Sequence, residues 1–242
     1  MTETAFLSQK DIPNNERLIF ALDVKSATEA KNLVNLLGDS VSFSKLGLEF
    51  FMSGEYYPTL EWLLAKDKKV FVDLKFFDVP QTVGSAVKQL QDKGATFATV
   101  HGNDSILRAA VEAKGDRLKI LAVTVLTSLD QGDINDLGFD CNVEQLVLSR
   151  ARRAFEVGCD GVISSGLEAK GLRESLGENF LVITPGIRPV QNTDDQKRTV
   201  SVEQAFKNGA DYIVVGRPIR EAEDPLAAAV DIQKRIAKVF GS

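Results

Sequence analysis

Short apolar stretches alternate with amphipathic segments along the whole of this 242-residue chain. The apolar stretches resemble strands buried on both faces. They predict eight strands, at residues 18–22, 41–46, 70–74, 97–100, 120–125, 161–163, 180–183 and 212–215. The segments between and after them repeat apolar residues at helical spacing. They predict eight helices, at residues 27–37, 54–65, 79–91, 105–113, 143–157, 167–176, 202–207 and 225–239.

Glycine follows most of the predicted helices, where a left-handed residue commonly ends a helix. These glycines are Gly38, Gly94, Gly115, Gly158, Gly177 and Gly209. Regular alternation of strands and helices indicates an α/β fold with a parallel sheet, and eight units in about 250 residues are typical of a closed barrel. We therefore predict a single-domain (β/α)8 TIM barrel over residues 1–242, with residues 1–17 as an N-terminal extension.

Composition narrows the class of protein and its surroundings. The chain is 44% hydrophobic and 26% charged, and its formal net charge of −5 disfavours a general nucleic-acid surface. No apolar run approaches the roughly 20 residues that span a bilayer, and the first residues lack a secretory apolar region. We expect a cytoplasmic protein with no membrane or nucleic-acid partner. Cys141 and Cys159 form no CxxC, and with one histidine in the chain they predict neither a disulfide nor a metal site.

The run DLKFFDVPQT, residues 73–82, concentrates chemically active side chains directly after an apolar strand. Positions two apart in a strand share a face, so Asp73 and Lys75 should project together, with Asp78 and Thr82 beyond the strand end. A charged pair on an inward face costs several kcal/mol to desolvate without compensating partners. An ordinary buried ion pair is the alternative interpretation.

Polar residues stand at or after seven of the predicted strand ends, where barrels of this kind carry their active sites. They are Asp23, Lys45, Asp73 with Lys75, His101, Thr127, Arg188 and Arg217. A lysine within an apolar strand needs a nearby carboxylate, and Asp73 on the adjacent strand is the natural partner of Lys45. The pattern predicts an alternating charge network of Lys45, Asp73, Lys75 and Asp78.

Two of these residues have structural alternatives. Asp23 could cap the first helix, but Ser26 is better placed as its N-cap, which favours a ligand role for Asp23. His101 could be a general base. A lone histidine near a strand end is more often a hydrogen-bonded supporting residue, so we do not assign it as the base.

A second group of residues suits an anion. Arg188 and the pair Gly216 and Arg217 follow the seventh and eighth strands, where barrels of this fold often bind phosphate. Glycine lets backbone amides approach a phosphate, and arginine adds a bidentate charge. A simple turn remains the alternative for GRP. The long polar loop at residues 185–199 predicts a lid. Gln196 within it could reach a phosphate or could be a solvated loop residue.

These motifs together resemble the orotidine 5′-phosphate decarboxylase family, in its bacterial-type, class I short-chain form. The resemblance covers nearly the whole chain through ALD, KLG, DLKFFDVPQT, VTVLTS, TPGIRP and VGRP, which begin at residues 21, 45, 73, 123, 184 and 215. The pattern DxKxxDxPxT is highly specific, whereas VGRP alone is weak. Gln81 stands where many members carry asparagine, at a flanking position.

The resemblance implies decarboxylation of orotidine 5′-phosphate to UMP and CO2 in de novo pyrimidine biosynthesis, without cofactor or metal. It implies that Lys75 protonates C6 of the pyrimidine, that Asp73 lies beside the departing carboxylate, and that Lys45 and Asp78 complete the network. It also implies a homodimer with shared active sites, in which Asp78 and Thr82 reach the partner's site. The implied substrate-binding residues are Asp23, Lys45, Thr82, Thr127, Arg188, Gln196, Gly216 and Arg217.

Two other functions are compatible with parts of the pattern. Metal-dependent relatives, such as ketogulonate-phosphate decarboxylase or hexulose-phosphate synthase, also carry DxKxxD. They typically place a glutamate for magnesium in the second strand, where this chain has Lys45. A non-catalytic barrel that senses UMP is the other alternative, but such a binder would have no need of Lys75.

Overall fold

A computed structural model of the chain describes residues 6–187 and 198–241. In these residues eight parallel strands pair in sequence order, and β8 pairs with β1 to close a barrel. The predicted single-domain (β/α)8 fold is confirmed, while the boundary at residue 17 stays a prediction. The strands are β1 Leu18–Ala21, β2 Phe43–Gly47, β3 Lys69–Phe76, β4 Phe97–Val100, β5 Lys119–Val123, β6 Gly161–Ile163, β7 Leu181–Thr184 and β8 Tyr212–Val215.

The eight predicted helices are all present, with ends that differ by at most two residues. Three further helices, α2, α6 and α10, are too short for their sequence periodicity to reveal them. The helices of the described residues are α1 Ala27–Leu37, α2 Leu48–Phe51, α3 Tyr56–Leu64, α4 Pro80–Gln91, α5 Asp104–Ala113, α6 Gln131–Asp136, α7 Val143–Val157, α8 Ala169–Leu176, α9 Val202–Lys207, α10 Arg217–Arg220 and α11 Pro225–Phe240.

Local signals in the sequence explain where helices begin and end. The Ser26 side chain accepts a hydrogen bond from the Glu29 amide at 3.2 Å, so Ser26 is the N-cap of α1 and Asp23 is left for another role. At the other end of a helix, Gly158 terminates α7 with φ 95° and ψ 23°, a left-handed conformation that costs glycine little.

Alternation along the strands separates two apolar layers. In β1, Ile19 belongs to the cluster inside the barrel, whereas Leu18 and Phe20 belong to the layer under the helices. Aromatic rings fill much of the interior, with Phe43 and Phe97 centroids 5.1 Å apart. The interior is therefore a packed core, which leaves the end of the barrel for a ligand site.

The segment before β1 packs against the N-terminal end of the barrel. Ile12 contacts the interior cluster. Asp211, fully buried just before β8, accepts hydrogen bonds from Ser8 Oγ at 2.6 Å, Lys10 Nζ at 2.9 Å and Arg173 Nη2 at 2.6 Å. The contacts of Ser8 and Lys10 with Asp211 join residues more than 200 positions apart in sequence. They lie on the N-terminal face of the barrel, opposite the strand ends that carry the candidate site.

No helix in the described ranges is both long and apolar enough to cross a bilayer.

Candidate active site

Three charged side chains meet in alternating order at the C-terminal ends of β2 and β3. Lys45 Nζ lies 3.3 Å from Asp73 Oδ2, and Lys75 Nζ lies 2.9 Å from Asp73 Oδ1. The pairing of β2 with β3 places Gly47, the last residue of β2, opposite Asp73. One carboxylate therefore holds two ammonium groups, each on a different oxygen.

Mutual attraction keeps Asp73 and Lys45 charged despite their burial. Burial alone would raise the pKa of Asp73, but Lys45 and Lys75, with hydrogen bonds from Lys75 and Thr99, hold it below its usual range. Burial alone would lower the pKa of Lys45, but the carboxylates of Asp73 and Asp23 raise it above its usual range. Asp73 and Lys45 are thus an ionised pair at neutral pH.

Asp23 extends the array on the side of β1. Its carboxylate oxygens lie 3.0 and 3.3 Å from Lys45 Nζ, and it keeps about a third of its side chain exposed. Gly47 makes room for this contact, because a Cβ at that position would lie 2.5 Å from Asp23 Oδ1 and 3.0 Å from Lys45 Nζ. The sequence motif KLG therefore supplies both the cation and the space beside it.

The end of β3 departs from regular strand geometry. Val72 pairs with Ala98 and Phe76 with Val100, so three residues of β3 stand opposite Thr99 alone. Lys75 has φ 49°, an unusual conformation for a residue with a side chain. The sequence predicted a shared face from simple alternation and missed both this bulge and Thr99, a fully buried threonine.

A cavity of about 170 Å³ opens over the charged array. Lys45, Asp73 and Lys75 line one side, and Thr127 on the loop after β5 lines another. Phe71, Val214 and other apolar side chains form the rest of the wall. Thr127 is buried and lines the same cavity as Lys45, Asp73 and Lys75. Its role near the ligand stays a prediction.

His101 lies beside this cavity and lines a larger neighbouring one of about 660 Å³ with Phe77 and Arg150. Its ring is 5.2 Å from that of Phe77, and its Nδ1 is buried with no hydrogen-bond partner in the described part of the chain. Burial, with the charges of Arg150 and Lys75, lowers the pKa of His101 and keeps the ring neutral.

Asp78 and Thr82 point away from the array of their own chain. Both are exposed, and Asp78 Oδ1 accepts a hydrogen bond from the Val79 amide at 2.6 Å. Among the described residues, Asp78 forms no ion pair with Lys45 or Lys75. The array that the described residues form within one chain consists of Asp23, Lys45, Asp73 and Lys75. That Asp78 completes the charge network, from the partner's side as the resemblance implies, stays a prediction.

The predicted anion site is only partly within the described residues. Gly216 and Arg217 begin the short helix α10 directly after β8, and a Cβ on Gly216 would lie 3.2 Å from Ala21 Cβ. Arg220 in the same helix donates a hydrogen bond to the Asp23 backbone carbonyl, which links α10 to the end of β1. Arg188 and Gln196, with most of the predicted lid, lie outside the described residues.

Sequence reasoning also missed an ion pair beside the Thr127 loop. Arg198 Nη1 lies 2.6 Å from Glu168 Oε1, and both side chains are nearly buried. Arg198 Nη2 donates to the carbonyls of Val125 at 3.1 Å and Leu126 at 2.9 Å. The pair therefore fixes the backbone immediately before Thr127. No sequence signal indicated it, because Arg198 stands in a polar loop.

Across residues 6–187 and 198–241, no group of three or more histidine, cysteine, aspartate or glutamate side chains is arranged to hold a metal ion. The array instead pairs each carboxylate with a lysine. Such an arrangement presents ammonium groups to a bound molecule and suits an anionic substrate.

Comparisons with known proteins find relatives that cover nearly the whole chain. Residues 16–232 match the family model described as "Orotidine 5'-phosphate decarboxylase / HUMPS family". An orotidine 5'-phosphate decarboxylase of Methylococcus capsulatus is 64% identical over 98% of both chains. One from Stenotrophomonas maltophilia is 47% identical over 98% of this chain and all of its own. The crystal structure of the Lactobacillus acidophilus enzyme superposes with a TM-score of 0.80 at 37% identity, covering 91% of this chain and 99% of that one.

Proposed function

This chain belongs to the orotidine 5'-phosphate decarboxylase / HUMPS family, and from that premise we propose that it converts orotidine 5′-phosphate to UMP and CO2 in pyrimidine biosynthesis. The relatives that match it over nearly its whole length carry the name orotidine 5'-phosphate decarboxylase. The observation that carries the proposal is the array in which Asp73 holds Lys45 at 3.3 Å and Lys75 at 2.9 Å beside a cavity.

The chemistry explains why such an array is useful. Direct decarboxylation breaks the bond between C6 and the carboxyl carbon, leaves the electron pair on C6 and releases CO2. Lys75 then gives a proton from Nζ to C6 and is reprotonated by solvent. Because Asp73 and Lys45 are already ordered by ion pairs, the ammonium group meets the developing negative charge without reorganisation. We assign Lys75 as the proton donor and place Asp73 beside the departing carboxylate.

Proton donation alone cannot supply the full acceleration. A reaction of this kind demands roughly 20 kcal/mol or more of barrier reduction. Binding energy from the substrate phosphate, remote from C6, can be used to organise the reacting end. We assign Arg188, Gln196, Gly216 and Arg217 to the phosphate, Asp23 to the ribose hydroxyls and Thr127 to the pyrimidine.

The direct test follows the ultraviolet absorbance of orotidine 5′-phosphate mixed with purified protein, with and without exhaustive chelation. We expect the same rate of loss of the substrate chromophore in both samples. A rate that falls on chelation and returns with magnesium would favour a metal-dependent reaction and contradict the proposed mechanism. An unchanged absorbance in both samples would contradict the proposed activity.

Lys75→Ala separates a catalyst from a nucleotide binder. We expect it to abolish turnover while UMP affinity, measured by calorimetry, stays within about tenfold of the wild type, or about 1.4 kcal/mol. Lys25→Ala, at an exposed position before α1, is the matched control and should retain turnover. Near-normal turnover in Lys75→Ala would remove Lys75 from the role of proton donor.

We also propose that the protein is a homodimer, in the cytoplasm, with active sites shared between subunits. The segment that carries Asp78 supports this, because Phe77 and Val79 on either side of it are 68% and 61% exposed. Large apolar side chains beside an exposed carboxylate suit burial against a second copy, which could receive Asp78 and Thr82 at its own array.

Mixing two inactive variants tests the shared site. Lys75→Ala and Asp78→Ala chains are unfolded together, refolded and assayed. If Asp78 acts across the interface, each hybrid dimer regains one intact site, and random pairing gives about a quarter of wild-type activity. A mixture with no activity above its components would place Asp78 in the site of its own chain, and wild-type activity of Asp78→Ala alone would place Asp78 outside the reaction.

A further inference from the structure

We propose that Thr99 is a positioning residue, whose hydroxyl group fixes the bulged end of β3 and so aims Asp73 and Lys75 at the substrate. The inference rests on the proposed function for its catalytic consequence. The structural part of the inference is that one hydroxyl group joins the backbone of Lys75 to the carboxylate of Asp73. This part depends only on the contacts among the three residues.

The first contact concerns the Lys75 backbone. Three residues of β3 stand opposite Thr99, so the regular ladder between Val72 and Phe76 is interrupted. Lys75 lies in this interruption with φ 49°, a region that residues with a side chain seldom adopt. Its amide donates to Thr99 Oγ1 at 2.9 Å, which replaces the interrupted ladder bond and holds the unusual conformation.

The second contact concerns the Asp73 carboxylate. Thr99 Oγ1 donates its proton to Asp73 Oδ1 at 2.9 Å, the same oxygen that lies 2.9 Å from Lys75 Nζ. Because a hydroxyl group has one proton and two lone pairs, it can accept from the amide and donate to the carboxylate at once. Donation in this direction leaves Oδ2 for Lys45, 3.3 Å away.

Thr99 is well suited to this task because the surrounding barrel holds it in place. Its side chain is fully buried, and its backbone is held in β4, where it pairs with Leu121 of β5. The hydroxyl group therefore orients both the backbone of Lys75 and the carboxylate of Asp73 from one position. A displacement of reacting groups by about 1 Å can cost a hundredfold in rate, so loss of this fixed point should slow the chemical step.

Thr99→Val and Thr99→Ser test the hydroxyl group with little change in shape. Valine keeps the volume and removes the hydrogen bonds, whereas serine keeps the hydroxyl group. The matched control is Thr59→Val, which removes another fully buried hydroxyl, on α3, whose oxygen has no hydrogen-bond partner in the described residues.

Two measurements report on the two parts of the inference. For Thr99→Val we expect kcat to fall by about tenfold to a hundredfold with nearly unchanged UMP affinity, and Thr99→Ser to retain most of the activity. Native-state hydrogen exchange of the Lys75 amide should become faster in Thr99→Val, beyond any change seen in Thr59→Val. The hydrogen-exchange measurement does not depend on catalytic activity.

The outcomes separate this inference from the proposed function. Wild-type kcat together with an unchanged Lys75 amide in Thr99→Val would overturn the inference. Equal losses of kcat and UMP affinity that merely follow the loss of global stability, as in Thr59→Val, would also overturn it. If the wild type itself does not decarboxylate orotidine 5′-phosphate, the proposed function fails, and the Lys75 amide alone decides whether Thr99 holds the bulge.

Discussion

Gly47 contributes to the site because, without a side chain, it leaves space for the Asp23 carboxylate and the Lys45 ammonium group. The Asp23 carboxylate occupies the space that a Cβ would need, 2.5 Å from Oδ1, and Lys45 Nζ lies 3.0 Å from the same point. The carboxylate, the ammonium group and the backbone of β2 are therefore in close contact. Any larger residue must displace one of the two charged groups.

Gly47→Ala should weaken substrate binding more than folding. We expect the KM for orotidine 5′-phosphate and the Kd for UMP to rise by about tenfold or more, because a displaced Asp23 loses its contact with Lys45 and, under the proposed assignment, with the ribose. Steady-state kinetics and calorimetry measure the two constants. Gly171→Ala is the control, since a Cβ there meets its nearest atom at 3.7 Å. Unchanged constants in Gly47→Ala would contradict the assigned role of Asp23.

Asp73 makes part of the stability of the protein depend on pH. Its pKa is lowered in the folded state, where burial is outweighed by Lys45 and Lys75, with Asp23 facing the other side of Lys45. A carboxyl group with a lowered pKa stabilises the fold above its unfolded pKa of about 4, and this contribution is lost as the pH falls towards the folded value.

Asp73→Asn should therefore be less stable than the wild type at neutral pH, by about 2 kcal/mol in the free energy of unfolding. The difference should shrink as the pH falls from about 4 towards the lowered pKa of the folded protein, because the unfolded wild-type chain binds a proton at Asp73 before the folded protein does. Urea unfolding between pH 3 and pH 7 at fixed protein concentration measures it. Asp136→Asn, at an exposed position in α6, is the control. A difference that stays constant over this range would contradict the stated linkage.

At the scale of elements, the loop after β5 is held by a residue from a distant part of the chain. Arg198 connects Glu168, just before α8, with the carbonyls of Val125 and Leu126. These contacts span up to 73 positions in sequence. Thr127 follows Leu126 directly. The position of this candidate substrate-binding residue therefore depends on the ion pair of Arg198 with Glu168, which does not itself line the cavity.

A double-mutant cycle with Arg198→Met and Glu168→Gln tests this arrangement. Each single variant leaves one nearly buried charge without its partner, and we expect it to lose about 3 kcal/mol of unfolding free energy. The double variant should lose less than the sum of the two. Hydrogen exchange of residues 125–128 should become faster in Arg198→Met but stay unchanged in Arg152→Ala, at an exposed position of α7. Additive losses would show that the two residues act independently.

At the scale of the whole molecule, buried charges occupy both ends of the barrel. The array around Asp73 lies at the C-terminal end with a cavity beside it. Asp211 at the N-terminal end is enclosed by Ser8, Lys10 and Arg173. Barrels of this fold typically separate catalysis and stability in this way.

Asp211→Ala should lower stability without changing the chemistry. Removal of this carboxylate leaves Arg173 buried beside an empty position, and we expect a loss of about 3–5 kcal/mol in the free energy of unfolding. The kcat per folded molecule should stay at the wild-type value. Chemical denaturation and active-site titration with a tight ligand measure the two quantities, and the milder Asp211→Asn serves if the alanine variant does not fold. A selective fall in kcat would contradict the separation of the two ends.

Hydrophobic patterning along the chain was enough to predict the barrel and the strand ends that carry the candidate site. Hydrophobic periodicity is a local property, so eight strands and eight helices could be predicted to within two residues. Parallel strands then bring their carboxyl ends to one face, which is why Lys45, Asp73 and Lys75 could be expected to lie together from their positions in the chain.

The tertiary structure alone decided how these groups are oriented. The bulge of β3, the bridge from Thr99 and the support of Thr127 by Arg198 depend on register and on contacts between residues far apart in sequence. Asp78, which the resemblance assigns to the partner's site, is exposed beyond the strand end of its own chain. Periodicity records which face of an element is buried, but hydrogen bonds form between particular atoms, and only the assembled barrel specifies their distances.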